Sequence, residues 1–395
     1  MKKKNILLYV SHVKIRDYDW QNRELGSLMQ KFNIKIILHD IVEIIRPGYS
    51  KIFLNKLLGR KIFFFTDLEK WKKKIIKIKQ QNKNKVKIMI QMNVVNLKSF
   101  FIWKFIKQQK IETISILSPG HPLKNHALNL NFFIYKVKFL FRNPLTIFIL
   151  IETIIFSFLK FFFNLYPTYA LQAGNKHFNS KNKNIKVLKA NSTDYSNYLI
   201  MKKKINSKKR KFALFLEQPT PLFDGDNFYQ KFNKNEFGTA EKWFPALNLF
   251  FEYLEDLTKI PIKIAAHPKV KHPKRPVYYG RREIINQNFI RSSFSSKFLI
   301  SMLSTGLGLS AVHKIPALFI NSDELCRNLS FINKQKHFAS ELGTFPINID
   351  KDFNEDQIKK ALTIDKKKFN TFKLNYLTSR KDFKTNSTII KELYF

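Results

Sequence analysis

Residues 261–268 read PIKIAAHP and residues 297–306 read KFLISMLSTG. Each is a short apolar run that stops on a polar, turn-forming cluster, His267-Pro268 after the first and Ser304-Thr305-Gly306 after the second. A run of this kind is the pattern of a strand buried on both faces. Helical periodicity surrounds them, at 239–258, with Thr239 as candidate N-cap and Glu241 in the first turn, and at 283–293. Strands at 212–217 (FALFLE) and 316–320 (PALFI) extend the rhythm on either side. Strands alternating with helices build a parallel sheet covered by helices.

The same rhythm is present upstream. Strands are expected at 5–10, 34–38, 86–92 and 111–117, with helices at 19–32, 66–82 and 96–109. The fold class is therefore α/β, two Rossmann-like domains with parallel sheets. The expected division is a first domain at 1–130, an apolar helical segment at 131–168, a return and basic linker at 169–210, a second domain at 211–353, and C-terminal helices at 354–395 packing back across both. The chain shows no repeat of 20–50 residues.

Composition bounds the partners. Among 395 residues, 71 Lys and Arg face 29 Asp and Glu, a formal net charge of +42. Such a balance favours anionic partners. The charge is spread along a chain also rich in Asn, Ile and Phe, with 40 Phe, instead of being gathered in one recognition element. That favours compositional bias and attraction to an anionic membrane over specific nucleic-acid binding. The single cysteine, Cys326, excludes intrachain disulfides and cysteine-rich zinc sites and fits a reducing compartment. The N-terminal MKKKNILLYV has too short an apolar run for a signal peptide and reads as a first strand, so a cytoplasmic location is expected.

Residues 145–163 (LTIFILIETIIFSFLKFFF) form an apolar stretch of spanning length, interrupted by Glu152 and Lys160 and bracketed by Pro144 and Pro167. Three readings stand: an in-plane membrane-docking helix, paired with 132–144, at the inner face of the plasma membrane; a buried interdomain helix; or a true span.

Three polar clusters fall at strand ends, where doubly wound sheets bind ligands. His267, presented by Pro268, is placed to donate to a phosphate oxygen; a plain surface turn is the alternative. Ser301 and Ser304-Thr305-Gly306 precede a helix, as an anion site or as ordinary N-capping. The loop Glu217–Asp226 carries Glu217, Asp224 and Asp226 as candidate general bases, against an Asp-Gly turn without a role. Arg281 and Arg282 suit a phosphate or sugar carboxylate, or a solvated surface pair. His272-Pro273 reads as a surface turn. No cluster has metal-ligand spacing, so neither metal nor cofactor is expected.

The segments FLEQPTPLFDGD, EKWFPALNLFFEYLED, IPIKIAAHPK, YYGRREI and SSKFLISMLSTGLGLSAVHKIPALFINSDEL resemble bacterial surface carbohydrate biosynthesis proteins over about 211–327, and RDYDWQNRELGSLMQKFNIKIILHDIVEII resembles their N-terminal domain. The resemblance implies a two-domain GT-B glycosyltransferase that moves a sugar from a nucleotide-sugar donor to a surface-polysaccharide or lipid-linked acceptor, as in capsule synthesis. A wider resemblance, to bacterial sialyltransferases and polysialyltransferases, implies an acid at Asp224-Gly225, a His-Pro motif at His267-Pro268, a serine motif at Ser304-Thr305 and a CMP-sugar donor. Phe223 stands where a second acid is frequent, and Met302-Leu303 where the surface-carbohydrate proteins carry a histidine. Alternatives are a polyol-phosphate transferase of the teichoic-acid type, a nucleotide-sugar epimerase, and a non-enzymatic basic protein binding nucleic acid or membrane.

Overall fold

The computed structural model describes residues 5–49, 59–82, 85–92, 96–116, 122, 145–176, 184–205, 209–219, 221–222, 238–270, 272, 278–286, 289–351 and 353–394. It contains two parallel sheets of seven and six strands, consistent with two Rossmann-like domains.

The first sheet comprises β1 (Ile6–Ser11), β2 (Lys35–Asp40), β3 (Ile62–Phe64), β4 (Val86–Gln91), β5 (Glu112–Ile116), β6 (Tyr169–Ala173) and β7 (Lys186–Ala190), in the order β3-β2-β1-β4-β5-β6-β7. Strand β1 shows why it is central. Ile6, Leu8 and Val10 enter one core layer while Leu7 and Tyr9 enter the other, so both faces must be covered. Covering elements include α1 (Asp17–Asn22), α2 (Leu25–Phe32), α3 (Leu68–Asn82) and α4 (Leu97–Gln108). Helix α4 starts at a reciprocal cap: Asn96 Oδ1 accepts from the Ser99 N–H and Ser99 Oγ accepts from the Asn96 N–H.

The expected helix at 19–32 is two helices. Glu24, at φ 53°, turns the chain between α1 and α2. Its buried carboxylate accepts from the Ser196 hydroxyl and, at 2.8 Å, from the Ser387 N–H, so distant partners hold the bend. The sheet also runs beyond the boundary expected at 130. The stretch expected as a return and linker supplies β6, β7 and a further helix. The lysines of β7 belong to a sheet edge, where Lys186 and Lys189 suit solvent and blunt edge pairing.

Helix α5 (Leu145–Phe162) lies along α4, with Phe156 buried and the Glu152 carboxylate accepting from the Leu97 N–H at 3.0 Å. Among the described residues no helix is long and apolar enough to cross a membrane. Most of the large side chains of α5 are exposed, which removes the buried interdomain reading. The segment 132–144 lies outside the described residues.

Helix α6 (Thr193–Lys202) leads to the second sheet, made of β8 (Phe212–Leu216), β9 (Ile262–Ala265), β10 (Ile284–Ile285), β11 (Ser296–Ser301), β12 (Ala317–Asn321) and β13 (Pro346–Asn348), ordered β10-β9-β8-β11-β12-β13. Phe212, Leu214 and Leu216 of β8 point into one layer and Ala213 and Phe215 into the other. Helix α7 (Ala240–Thr258) covers the latter through Trp243, Phe244, Leu247, Phe250, Phe251 and Leu254. The expected helix at 283–293 is the edge strand β10 followed by the short α8 (Phe289–Ser293). The chain runs from β1 to β2 on one side and later returns to β4 on the other, and likewise from β8 to β9 and later to β11; each such topological switch opens a crevice beyond the carboxyl ends of β1 and β8.

The chain ends on the first domain. In helix α9 (Asn386–Lys391), Asn386 exchanges two hydrogen bonds with the Asn191 backbone, at 2.9 and 3.0 Å, and the Tyr394 hydroxyl donates to Ile6 O at 3.0 Å. Gly174, at φ 66°, lets this return pass: a Cβ there would lie 2.1 Å from Asn375 O.

At the end of β2, His39 is fully buried against the edges of Phe63 and Phe65, and neither ring nitrogen has a hydrogen-bond partner. Burial, helped by Lys74, lowers its pKa to about 3. The unfolded ring binds a proton near pH 6.5, so between those values the unfolded state holds more protons and stability falls as pH falls. Replacing the ring removes this dependence. His39→Leu is expected to raise stability in urea melts, with a gain over wild type larger by as much as about 2 kcal/mol at pH 5 than at pH 7.5. Equal gains at both pH values would contradict the assignment.

Candidate functional site

The crevices of the two domains meet in one cleft of about 530 Å³. Asp17, Tyr18, Gln21 and Asn22 of α1, with Asp194 of α6, line one wall. The other carries Glu217 and Gln218 after β8, His267 and Pro268 after β9, Asn286 and Phe289, and Ser304 and Thr305 after β11. Its volume falls in the range that encloses a ligand of nucleotide size.

Glu217 is the most deeply buried acid of the cleft wall, its side chain 1% exposed. Its Oε2 accepts from the His267 backbone N–H at 2.7 Å and from His272 Nε2 at 2.9 Å; its Oε1 accepts from the Tyr279 hydroxyl at 2.7 Å. Burial, with the Glu217 charge second, pushes the Tyr279 pKa well up, so that hydroxyl stays a donor. A carboxylate only accepts, so a neutral His272 puts its proton on Nε2 and takes the Tyr278 hydroxyl at Nδ1, 2.6 Å away. This corrects two expectations. With three donors Glu217 is committed as the anchor of the loop that presents His267, which does not suit a general base. His272 is no surface turn but part of that anchor.

His267 itself faces the cleft. Its Nδ1 accepts from the Lys269 N–H at 3.2 Å, which leaves the proton on Nε2. Burial first, then the charges of Lys269 and Arg16, lower its pKa to about 3. The ring is thus a neutral N–H donor in a positive local field.

The Ser-Thr cluster is built differently from the expected helix terminus. Residues Thr305–Gly308 form one 3₁₀ turn before a short helix at Leu309–His313. Ser304 Oγ accepts the Gly306 N–H at 3.2 Å and keeps its own proton to donate. Thr305 Oγ1 donates across the cleft to Asp194 Oδ2 at 2.7 Å. Burial raises the Asp194 pKa against the effect of that bond. Gly306 leaves little room for a side chain: a Cβ there would lie 2.7 Å from the Phe289 ring and 2.9 Å from Leu216, so those side chains would have to shift. Ser301 is fully buried and donates to Leu216 O at 2.8 Å, tying β11 to β8 instead of facing a ligand.

Arg281 is exposed and does not line the cleft, and Arg282 is paired with Glu255 at 2.6 Å and with Asn248 at 3.0 Å. Asp224 and Asp226 lie outside the described residues. Among the described residues no group of three His, Cys, Asp or Glu is arranged to hold a metal ion. Sequence reasoning missed Asp17, Tyr18, Gln21, Asn22 and Asp194. The first four follow the carboxyl end of β1, a position the strand pattern itself marks; Asp194 sits in the stretch that reads as linker.

No protein-family model matches the chain and no curated protein matches it in sequence, so the resemblances drawn above rest on the quoted motifs. Solved structures do match in fold. A structure of the wall teichoic acid polymerase TagF, H444N variant, aligns at a TM-score of 0.54 and 13% identity over 99% of this chain and 88% of that one. Staphylococcus aureus MnaA with UDP aligns at 0.49 and 12% over 98% and 96%, and Acinetobacter baumannii MurG at 0.48 and 8% over 99% of each chain. At 13% identity the likeness to the polymerase is one of fold alone.

Proposed function

We propose that the protein is a GT-B transferase that moves a sugar from a nucleotide-sugar donor to a hydroxyl-bearing glycan or lipid-linked acceptor. The observation that carries this reading is the convergence of His267 Nε2–H and the Ser304 hydroxyl at a cleft between two Rossmann-like domains, with the charges of Lys269 and Arg16 near enough to act on His267. Two neutral hydrogen donors in a positive field suit a phosphate that gains charge as it leaves, and preorganised donors of this kind need no rearrangement during the reaction. The fold likeness to a polymerase of wall teichoic acid agrees with that chemistry.

In the proposed step an acceptor oxygen attacks the sugar carbon bonded to the donor phosphate. That carbon–oxygen bond breaks, its electron pair leaves on the nucleotide, and the acceptor proton passes to a carboxylate. The base is proposed to be Asp224 or Asp226, which follow β8 in sequence, with Asp17 a further carboxylate lining the cleft. His267 and Ser304 take up the phosphate charge, so the reaction is proposed to run without metal and to survive EDTA. The second reading, transfer of a polyol phosphate, is favoured by the same fold likeness; there the acceptor attacks phosphorus and CMP leaves. A panel of UDP-, CMP- and CDP-linked donors separates the two by which donor is consumed and by whether the product carries the donor's phosphate.

Three outcomes are expected. His267→Ala lowers kcat/KM by about 10²-fold or more at an unchanged melting temperature; activity within threefold of wild type would overturn the assignment. Because His267 stays neutral down to about pH 3, the pH profile of kcat/KM shows no limb near 6.5 that disappears in His267→Gln. A cognate nucleotide at 100 times its Kd stabilises the protein by about 2.7 kcal/mol in thermal shift, and His267→Ala removes most of that gain.

A further inference from the structure

Helix α5 carries the largest concentration of exposed apolar side chains among the described residues. Phe148 is 71% exposed, Phe158 66% and Phe161 74%, and Ile151, Ile154 and Phe162 lie with them. At about 100° per residue these positions fall within an arc of roughly 140° on one side of the helix. The two charges of the segment are off that arc. Glu152 is turned to the N-terminus of α4, where it accepts the Leu97 N–H, and Lys160 lies half-buried with its nitrogen 5.0 Å from the Tyr166 ring centre. The exposed arc is therefore wholly apolar and about 21 Å long, and Phe101 and Leu97 of the adjacent α4 are exposed as well. Cations rim it: Lys98 is exposed, and Lys104 sits with its nitrogen 5.0 Å from the Phe163 ring centre.

We propose that this face docks on an anionic phospholipid bilayer, with α5 lying in the membrane plane and its apolar arc sunk into one leaflet. Monomeric soluble proteins seldom expose so large a contiguous apolar patch without a partner. Charge selects the occupant. A net charge of +42 opposes pairing of this face with a second copy and favours a negatively charged lipid surface. An apolar helix face rimmed by lysine is the geometry of a helix that lies in the interface, where acyl chains take the apolar side chains and headgroups meet the cations. The inference stands independently of the chemistry in the cleft.

The test is flotation of the full-length protein with vesicles of phosphatidylglycerol and phosphatidylcholine in equal parts, and with phosphatidylcholine alone. Wild type is expected to float with the mixed vesicles and at least tenfold less with phosphatidylcholine. Phe158→Glu combined with Phe161→Glu is expected to reduce flotation at least tenfold, while Leu249→Glu, at an exposed apolar site on α7, leaves it unchanged. If the glutamate pair lowers the melting temperature, Phe158→Ser with Phe162→Ser replaces it. Failure of wild type to float, or equal flotation of a folded variant, overturns the proposal. So does a wild-type dimer in sedimentation equilibrium that the variant dissolves without any vesicle binding. Equal binding to both vesicle types overturns the requirement for anionic lipid.

Discussion

A carboxylate removed from water has to be met by donors, and Glu217 sets the shape of the cleft by meeting this requirement. Each donor left unpaired would cost about 1–3 kcal/mol, so the three partners constrain one another. The Tyr279 hydroxyl comes from the far part of the connection between β9 and β10, His272 from its nearer half and the His267 N–H from its start. One buried acid after β8 thus gathers both ends of that connection and fixes where His267 stands relative to the strand ends. His267 then needs no bond of its own to Glu217; its backbone is held and its ring is left for the cleft.

The other wall is coupled to this one through polar bonds between domains. Asp194, on the helix that joins the two sheets, accepts from Thr305, and Glu24, on the first domain, accepts from Ser196 of the same helix and from Ser387 of the returning C-terminus. The first turn of helix α6 is therefore tied both to the second domain's Ser-Thr turn and to the first domain. The return of the chain over β6, past Gly174, closes the same connection from outside.

Local pattern was enough for the strands that are buried on both sides. The runs at 261–266 and 297–301, and FALFL in β8, are continuous apolar segments because parallel strands are covered on both faces. His267-Pro268 and Ser304-Thr305 stood at strand ends, and topology alone then placed them in one crevice. What pattern could not show depends on partners far away in sequence. His272 looks like a turn residue until Glu217, 55 positions earlier, is brought to its ring. Glu24 breaks a helical pattern because Ser196 and Ser387 wait for its carboxylate. Strand β7 is written in lysines because its edge faces water, and lysines in an Asn-rich stretch read as linker. Helix α5 is the opposite case: its composition was plain, but whether lipid, protein or water meets its face depends on where Glu152 and Lys160 point, which only the packing against α4 decides.

The high charge of the chain and the neutrality of its cleft histidine are two sides of one electrostatic arrangement. Burial, with the charges of Lys269 and Arg16 after it, disfavours a proton on His267, so in the proposed transfer the ring would meet the donor phosphate as a neutral donor and add no full charge to be neutralised again on release. A protonated histidine would bind the anion more tightly in both ground and transition states, which lowers KM without raising kcat; a neutral donor held in a positive field strengthens most when charge develops on the phosphate. In a chain with so many lysines, restricting how tightly an anion is held at rest is as much a design constraint as attracting it, and burial of His267 beside those cations meets it.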